Sequence, residues 1–204
     1  MGALTKETPK PLLIFKGKPL IVWHIEKLSA AGFTDIVINV SYLAEKIKEY
    51  LGNGSQWGVR IFFSDENPVL ETAGGIRKAL PLLKSNPFLV INSDIYSDIN
   101  YAELYKLNLP KSIEGLLFFV KNPLHNPAGD FLLGDDGVVM NDGMIKKTFS
   151  GIAIYRPDFF YDLPNNKFIK LSDVLKEKVE KRLIRGNLFN GLWIDIGTPE
   201  RLMS

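Results

Sequence analysis

The amino-acid sequence predicts an α/β fold with a mostly parallel sheet and helices on both of its faces. Two observations carry this. Helix-spaced and strand-like segments alternate from Lys18 to Asn92, the order that βαβ units impose. The last of these strand-like segments is a short continuous apolar run, as strands buried on both faces are. A chain of 204 residues, 46% hydrophobic and 24% charged, is large enough to bury the core of one such domain.

Each element follows from local pattern. Lys18 to Ala31 reads as a helix, with Pro19 in its first turn, Ile21, Ile25 and Leu28 on one face and Gly32 as its stop. "TDIVINVSY" follows as a strand, Leu43, Ile47 and Leu51 recur at helical spacing, and "VRIFFSD" is the next strand. Ile76, Ala79, Leu80 and Leu83 mark another helix face, leading into the strand "FLVIN". Asn100 and Glu103 form a capping pair for a short helix. Beyond it the texture changes. "EGLLFFV", "GDFLLGDDGVV" and "KKTFSGIAIY" are strands separated by Asn, Pro and Gly turns, so this half reads as antiparallel or mixed. A charged helix around Leu171 to Arg182 and a last strand, "GLWIDIG", close the chain. The expected organisation is a single domain over residues 1–204, with a nucleotide-type half to about residue 110 and an elaborated half after it.

The totals exclude some chemistries. With no cysteine, disulfides and thiolate metal sites are ruled out. Lys and Arg are scattered and the formal net charge is +2, so nucleic acid is not an expected partner. No apolar run approaches the ~20 residues needed to cross a bilayer, and "MGALTKETPKPLL" lacks the order of a secretion signal. No membrane partner and a cytoplasmic location are therefore expected. His24 and His125 have no serine, cysteine or metal-type partner at useful spacing, which sets nucleophilic triads aside.

Ligands of open α/β sheets sit beyond the carboxyl ends of the strands. Asp94 in "FLVINSD" and Asp195 in "GLWIDIGT" are both placed there, and together they could hold a hard divalent cation through oxygen. Each alone also reads as an ordinary turn or strand-edge aspartate. In "LETAGGIRKAL", Thr72 is expected to cap the helix that Gly74 and Gly75 begin. The missing β-carbons suit either a flat or anionic ligand lying on the backbone or a tight strand-to-helix crossing. Lys10, between two prolines in "TPKPLL", is aimed by its rigid neighbours and suits a phosphate as a point charge, or is a solvated lysine.

"LTKETPKPLL", "GKPLIVWHIEKLSAAGFTDIVINV", "LETAGGI", "FLVINSD", "NPAGDF", "FSGIAIY" and "WIDIGTPERL", in this order and at these intervals, resemble the sugar-1-phosphate nucleotidyltransferases. Within that family the likeness is greatest to the N-acetylmuramate-1-phosphate uridylyltransferases of peptidoglycan recycling. The likeness covers essentially the whole chain. It implies a Rossmann-like three-layer α/β/α sandwich with a mixed, mostly parallel central sheet, of nucleotide-diphospho-sugar transferase type. It implies a reaction in which an NTP, here UTP, and a sugar 1-phosphate give an NDP-sugar and pyrophosphate. By the same resemblance Asp94 and Asp195 would hold Mg²⁺ and Lys10 would lie against the transferring phosphates. Thr72, Ala73, Gly74, Gly75 and Asn92 would contact the nucleotide, and the glycines would let the base approach the main chain.

Glu66 falls where relatives place a residue that reads the base edge. Uracil N3 carries a proton and cytosine N3 does not, so a carboxylate there would favour uracil or thymine; it also reads as a plain loop glutamate. Asn122, Asp130, Ser150 and Gly151 occupy the family's sugar-facing segments, which makes the second half the sugar-binding one. No general base is needed, because a sugar phosphate with a second pKa near about 6 is already anionic at neutral pH. The site must align two polyanions and cancel the charge between them.

Relatives begin with a buried strand and a glycine-rich loop of the type LAAGxGxRM, ahead of the segment matching Leu4 to Lys10. The chain as given starts where that loop would be ending, with Met1 in the place of its final methionine. The expectation is a truncated sequence that lacks the first strand and the phosphate-cradling glycines. The missing loop leaves open a catalytically inactive nucleotide-sugar binding module, and because similar motifs recur there, a guanylyl- or thymidylyltransferase of a hexose 1-phosphate is the other alternative.

Overall fold

The computed structural model describes residues 2–203; Met1 and Ser204 lie outside them. The chain opens with β1 (Ile14–Phe15) and β2 (Lys18–Pro19), followed by α1 (Leu20–Ala30), β3 (Asp35–Val40), α2 (Ala44–Leu51), β4 (Arg60–Asp65) and α3 (Glu71–Ala79). It continues through β5 (Phe88–Ile91), β6 (Ile95–Ser97), α4 (Tyr101–Tyr105), β7 (Gly115–Val120), β8 (Phe131–Leu133) and β9 (Val139–Met140). The longest strand, β10 (Lys146–Tyr155), precedes α5 (Asp158–Tyr161), α6 (Leu171–Glu180), β11 (Ile184–Leu188), β12 (Trp193–Asp195) and α7 (Pro199–Leu202). The class is the expected α/β one. The sheets are mixed: β3 with β4 and β7 with β11 pair in parallel, and the other ladders are antiparallel.

These elements gather into two compact units. Of the described residues, 2–69, 93–107 and 192–203 make the first, and 70–92 and 108–191 the second. In the first, β3, α2 and β4 form a βαβ crossover, with Asp35 opposite Arg60 and Val40 opposite Asp65. Ile21, Val22 and Ile25 of α1 pack with Ile47 and Leu51 of α2 and Ile61 of β4, so each helix buries the stripe that its 3.6-residue period lines up. Pro19 precedes α1 at φ −57°, a value its ring fixes in advance, and Lys18–Pro19 pairs with β1 instead of starting the helix. Gly32 ends the run at φ +95°, where a β-carbon would be strained. A second cluster in this unit sets Leu13, Phe15 and Leu20 against Ile196, with Tyr96 and Ile194 packed on it.

The second unit is built on β10. One edge of β10 pairs with β7, which continues to β11; the other pairs with β5 toward its end and with β8 toward its start. The β7 ladder shifts register between Phe149 and Ala153, a bulge that contains Gly151 at φ +78°. Phe119, Phe131, Ala153 and Tyr155 from the sheet meet Ala73 and Ile76 of α3, Phe159 and Phe160 of α5 and Leu175 of α6. Each of these sheet residues is less than 5% exposed. Helix α3 departs from the sequence reading at its start. Leu70, not Thr72, occupies the cap position and no side chain caps it, because Ile169 supplies its carbonyl to the N–H groups of Ala73 and Gly74.

Candidate functional site: Lys10, Asp94 and Asp195

The first unit brings three of the predicted residues together. Strand β12 runs antiparallel to β6 with Asp195 opposite Ile95. The Ile196 N–H donates to the Asp94 carbonyl at 2.7 Å, so the Asp94 and Asp195 backbones are neighbours. Packing sets the presentation of Asp195: Ile194 and Ile196 enter the apolar cluster, and the pleat turns Asp195 the other way. Lys10 follows buried Pro9 and opens a short 3-10 turn. Its ammonium donates to Asp94 Oδ2 at 2.5 Å, with the two side chains 30% and 32% exposed. A pair that open contributes on the order of 1 kcal/mol or less to stability.

Asp195 has its own cation. Arg201 Nη1 lies 3.2 Å from Asp195 Oδ2. Arg201 comes from α7, whose start is set by Thr198, the side chain of which accepts from the Arg201 N–H, with Pro199 at the first helical position. Gly197 fits between them. A β-carbon there would stand 2.5 Å from Arg201 Nη2 and 2.9 Å from Asp195 Oδ1. Arg201 and Gly197 were not read as site residues from the sequence, although "TPER" spells a helix start whose arginine lies one turn along. Asp94, just ahead of β6, and Asp195, at the end of β12, both carry the oxygen donors that a hard divalent ion prefers. Among the described residues no group of three or more His, Asp or Glu side chains is placed to hold a metal.

Behind this ladder lies a buried polar group. His24 of α1, 6% exposed, shares a hydrogen bond between its Nδ1 and the Tyr101 hydroxyl at 3.0 Å. Burial pushes the His24 imidazole down from 6.5 to about 4; the nearby Lys27 charge works in the same direction, and the Ile95 main chain and Asp94 oppose it. Burial likewise pushes the Tyr101 hydroxyl up. The Lys27 ammonium donates to the Ser97 carbonyl at the end of β6. Also in this unit, Glu66 follows β4. Its N–H donates to the Val40 carbonyl at 2.7 Å and its Oε1 accepts from Asn39 Nδ2 at 2.9 Å.

The remaining predicted residues lie in the second unit. Gly74 is buried, and a β-carbon there would meet the Lys167 carbonyl oxygen at 2.1 Å. The close approach at this glycine is therefore made by the chain's own 167–169 segment. Ala73 and Gly75 are buried beside it and Thr72 is exposed. Asn92 follows β5. Its N–H donates to the Gly151 carbonyl at 2.9 Å, and its amide lies where a Gly151 side chain would be, 2.6 Å from an ideal β-carbon. Ser150, 2% exposed, accepts from the Ile152 N–H at 3.2 Å.

Asn122 and Asp130 hold a loop. Asn122 Nδ2 donates to the carbonyls of Pro127 and Lys146 at 3.0 Å each, and its Oδ1 accepts from Thr148 at 3.0 Å. Asp130 accepts from the Phe149 N–H at 2.8 Å and from Asn126 at 3.1 Å. Both side chains tie the 122–130 loop to β10 just before its bulge.

In keeping with this α/β architecture, the chain belongs to the nucleotidyl transferase family, which it matches over residues 1–130. It is 46% identical over 207 residues to the N-acetylmuramate alpha-1-phosphate uridylyltransferase of Neisseria meningitidis serogroup B, with 99% of this chain and 90% of that protein covered. It is 29% identical over 210 residues to the mannose-1-phosphate guanylyltransferase catalytic subunit beta of Drosophila melanogaster, covering 98% of this chain and 57% of that one. The chain thus spans little more than half of that second relative. In structure it resembles a Bacillus anthracis protein solved in complex with sucrose and assigned as a glucose-1-phosphate thymidylyltransferase, at TM-score 0.86 and 17% identity, over 100% of this chain and 87% of that one. That likeness gives the fold: that of the nucleotide-diphospho-sugar transferases.

Proposed function

We propose that the protein is a sugar-1-phosphate uridylyltransferase, which joins UMP from UTP to N-acetylmuramate 1-phosphate and releases pyrophosphate. The observation that carries this is the 46% identity, over 99% of the chain, to a uridylyltransferase of that substrate. Peptidoglycan recycling in the cytoplasm is the setting this reading implies. The mannose-1-phosphate guanylyltransferase likeness keeps hexose 1-phosphates and GTP as the competing substrates.

On this reading Asp94 and Asp195 hold Mg²⁺, which when bound neutralises charge on the triphosphate and the incoming phosphate. Lys10 adds a point charge to the same phosphates. The sugar phosphate attacks the α-phosphorus through an oxygen that is already anionic, so no side chain has to remove its proton. Glu66, oriented by Asn39, accepts from N3–H of uracil. Thr72, Gly75 and Asn92 serve the nucleotide, Gly74 being taken up by packing against the 167–169 segment, and the Ser150-Gly151 bulge faces the sugar, with Asn122 and Asp130 shaping the adjoining loop.

The test is pyrophosphate release measured for four NTPs against N-acetylmuramate 1-phosphate and mannose 1-phosphate. UTP with N-acetylmuramate 1-phosphate is the expected best pair, and dTTP is tolerated better than CTP. A GTP and mannose 1-phosphate preference would replace the proposal with its competitor. A CTP preference would refute the role given to Glu66.

A further inference from the structure

We infer that Lys10 is a displaceable counter-ion of Asp94: its ammonium occupies the carboxylate until a divalent cation takes it, and the freed ammonium then engages the nucleotide phosphates. The inference rests on the metal role proposed for Asp94 and adds a coupling between metal and nucleotide. Three observations support it. Lys10 Nζ donates to Asp94 Oδ2 at 2.5 Å, so one carboxylate oxygen is already engaged by a cation. Both partners are about one third exposed, at 30% and 32%, so the pair is weak enough for a divalent ion to break. Lys10 sits between Pro9 and Pro11, and its carbonyl accepts from the Leu13 N–H at 3.1 Å, which fixes the backbone while the four-carbon stem stays free to swing.

The same ammonium cannot neutralise a carboxylate and a phosphate at full strength together. Metal at Asp94 should therefore strengthen nucleotide binding by Lys10, and by reciprocity nucleotide should strengthen metal binding. Asp195 differs in kind: its Arg201 partner is anchored through the helix that Thr198 caps.

Mn²⁺ titrated by electron paramagnetic resonance, in the absence of nucleotide, tests the displacement. Lys10→Met should bind Mn²⁺ about fivefold more tightly than the unsubstituted chain, the equivalent of about 1 kcal/mol. Lys48→Met removes an equal charge from the Lys48 pairs with Glu45 and Asp65 and should leave Mn²⁺ affinity unchanged. An equal gain in both variants, or no gain in Lys10→Met, overturns the inference. UTP titrated calorimetrically in EDTA tests the other half. Asp94→Asn should bind metal-free UTP more tightly, and the gain should vanish in the Lys10→Met, Asp94→Asn double variant; a gain that survives there is simple charge repulsion and also overturns it. Asp94→Asn with undiminished Mn²⁺ affinity removes the metal role itself, whereas loss of Mn²⁺ in that variant without a gain in Lys10→Met removes only the displacement.

Discussion

His24 gives the molecule a pH dependence of its own. Its imidazole falls from 6.5 to about 4 in the folded chain, so between those values the unfolded chain takes up a proton that the folded chain refuses. Stability is full above pH 6.5 and is lost as pH falls toward 4, by about 3 kcal/mol over the window. Urea unfolding followed from pH 7 to 4 should show that slope, and His24→Gln should flatten it. Asp94→Asn should lower turnover by about 100-fold or more while shifting the unfolding midpoint by no more than the ~1 kcal/mol of a partly exposed pair. Activity that survives the change means that Asp94 does not carry the chemistry. Gly74→Ala pushes a methyl against the Lys167 carbonyl at 2.1 Å; a loss of about 1 to 3 kcal/mol in chemical denaturation is expected. Only this residue's burial, and nothing in "TAGG" itself, separates a packing glycine from a ligand-facing one.

Among the elements, those with a strong period were legible. The helix face of Ile21 and Ile25, the strands "FLVIN" and "EGLLFFV", and the Asn100 cap all form as read: Asn100 Oδ1 accepts from the Ala102 N–H at 3.0 Å and its Nδ2 donates to Glu103 Oε1 at 3.0 Å. Strand β6 was not legible because it is three residues long and exists only through its partner β12; so short a segment has too few alternations to show a period. Strand β11, "IRGNL", is broken by Gly and Asn and pairs in parallel with β7, more than sixty positions earlier. Helix α7 matters beyond its length. Thr198→Ala should cost about 1 kcal/mol as a lost cap, and because Arg201 is held by the same turn, it should also raise the metal concentration that half-saturates turnover. A Thr198→Ser variant, which keeps the hydroxyl, should restore both.

At the scale of the molecule, two separate cores carry stability. Ile25 in the first unit and Phe119 in the second are 1% and 0% exposed, and truncation to alanine should cost about 2 to 5 and 3 to 5 kcal/mol respectively. Thermal unfolding of both variants measures this directly. EDTA should abolish pyrophosphate release, with Mg²⁺ restoring it, if the two aspartates act as proposed; turnover that persists in EDTA would set the metal aside. No helix among the described residues is long and apolar enough to cross a membrane.

What the sequence by itself determined is the local grammar: the alternation of helix and strand, the helix stops and caps, and the order of motifs that marks the family. These depend on side-chain periods and backbone preferences within a few residues, which are written out in order. Tertiary structure alone decided that Lys10 meets Asp94 across 84 positions, that the pairing of β12 with β6 brings Asp195 opposite Ile95, next in the chain to Asp94, and that Lys167 fills the space beside Gly74. Each of these needs distant segments to be brought together by burial of apolar side chains such as Ile196, and no short-range period records where such segments will meet.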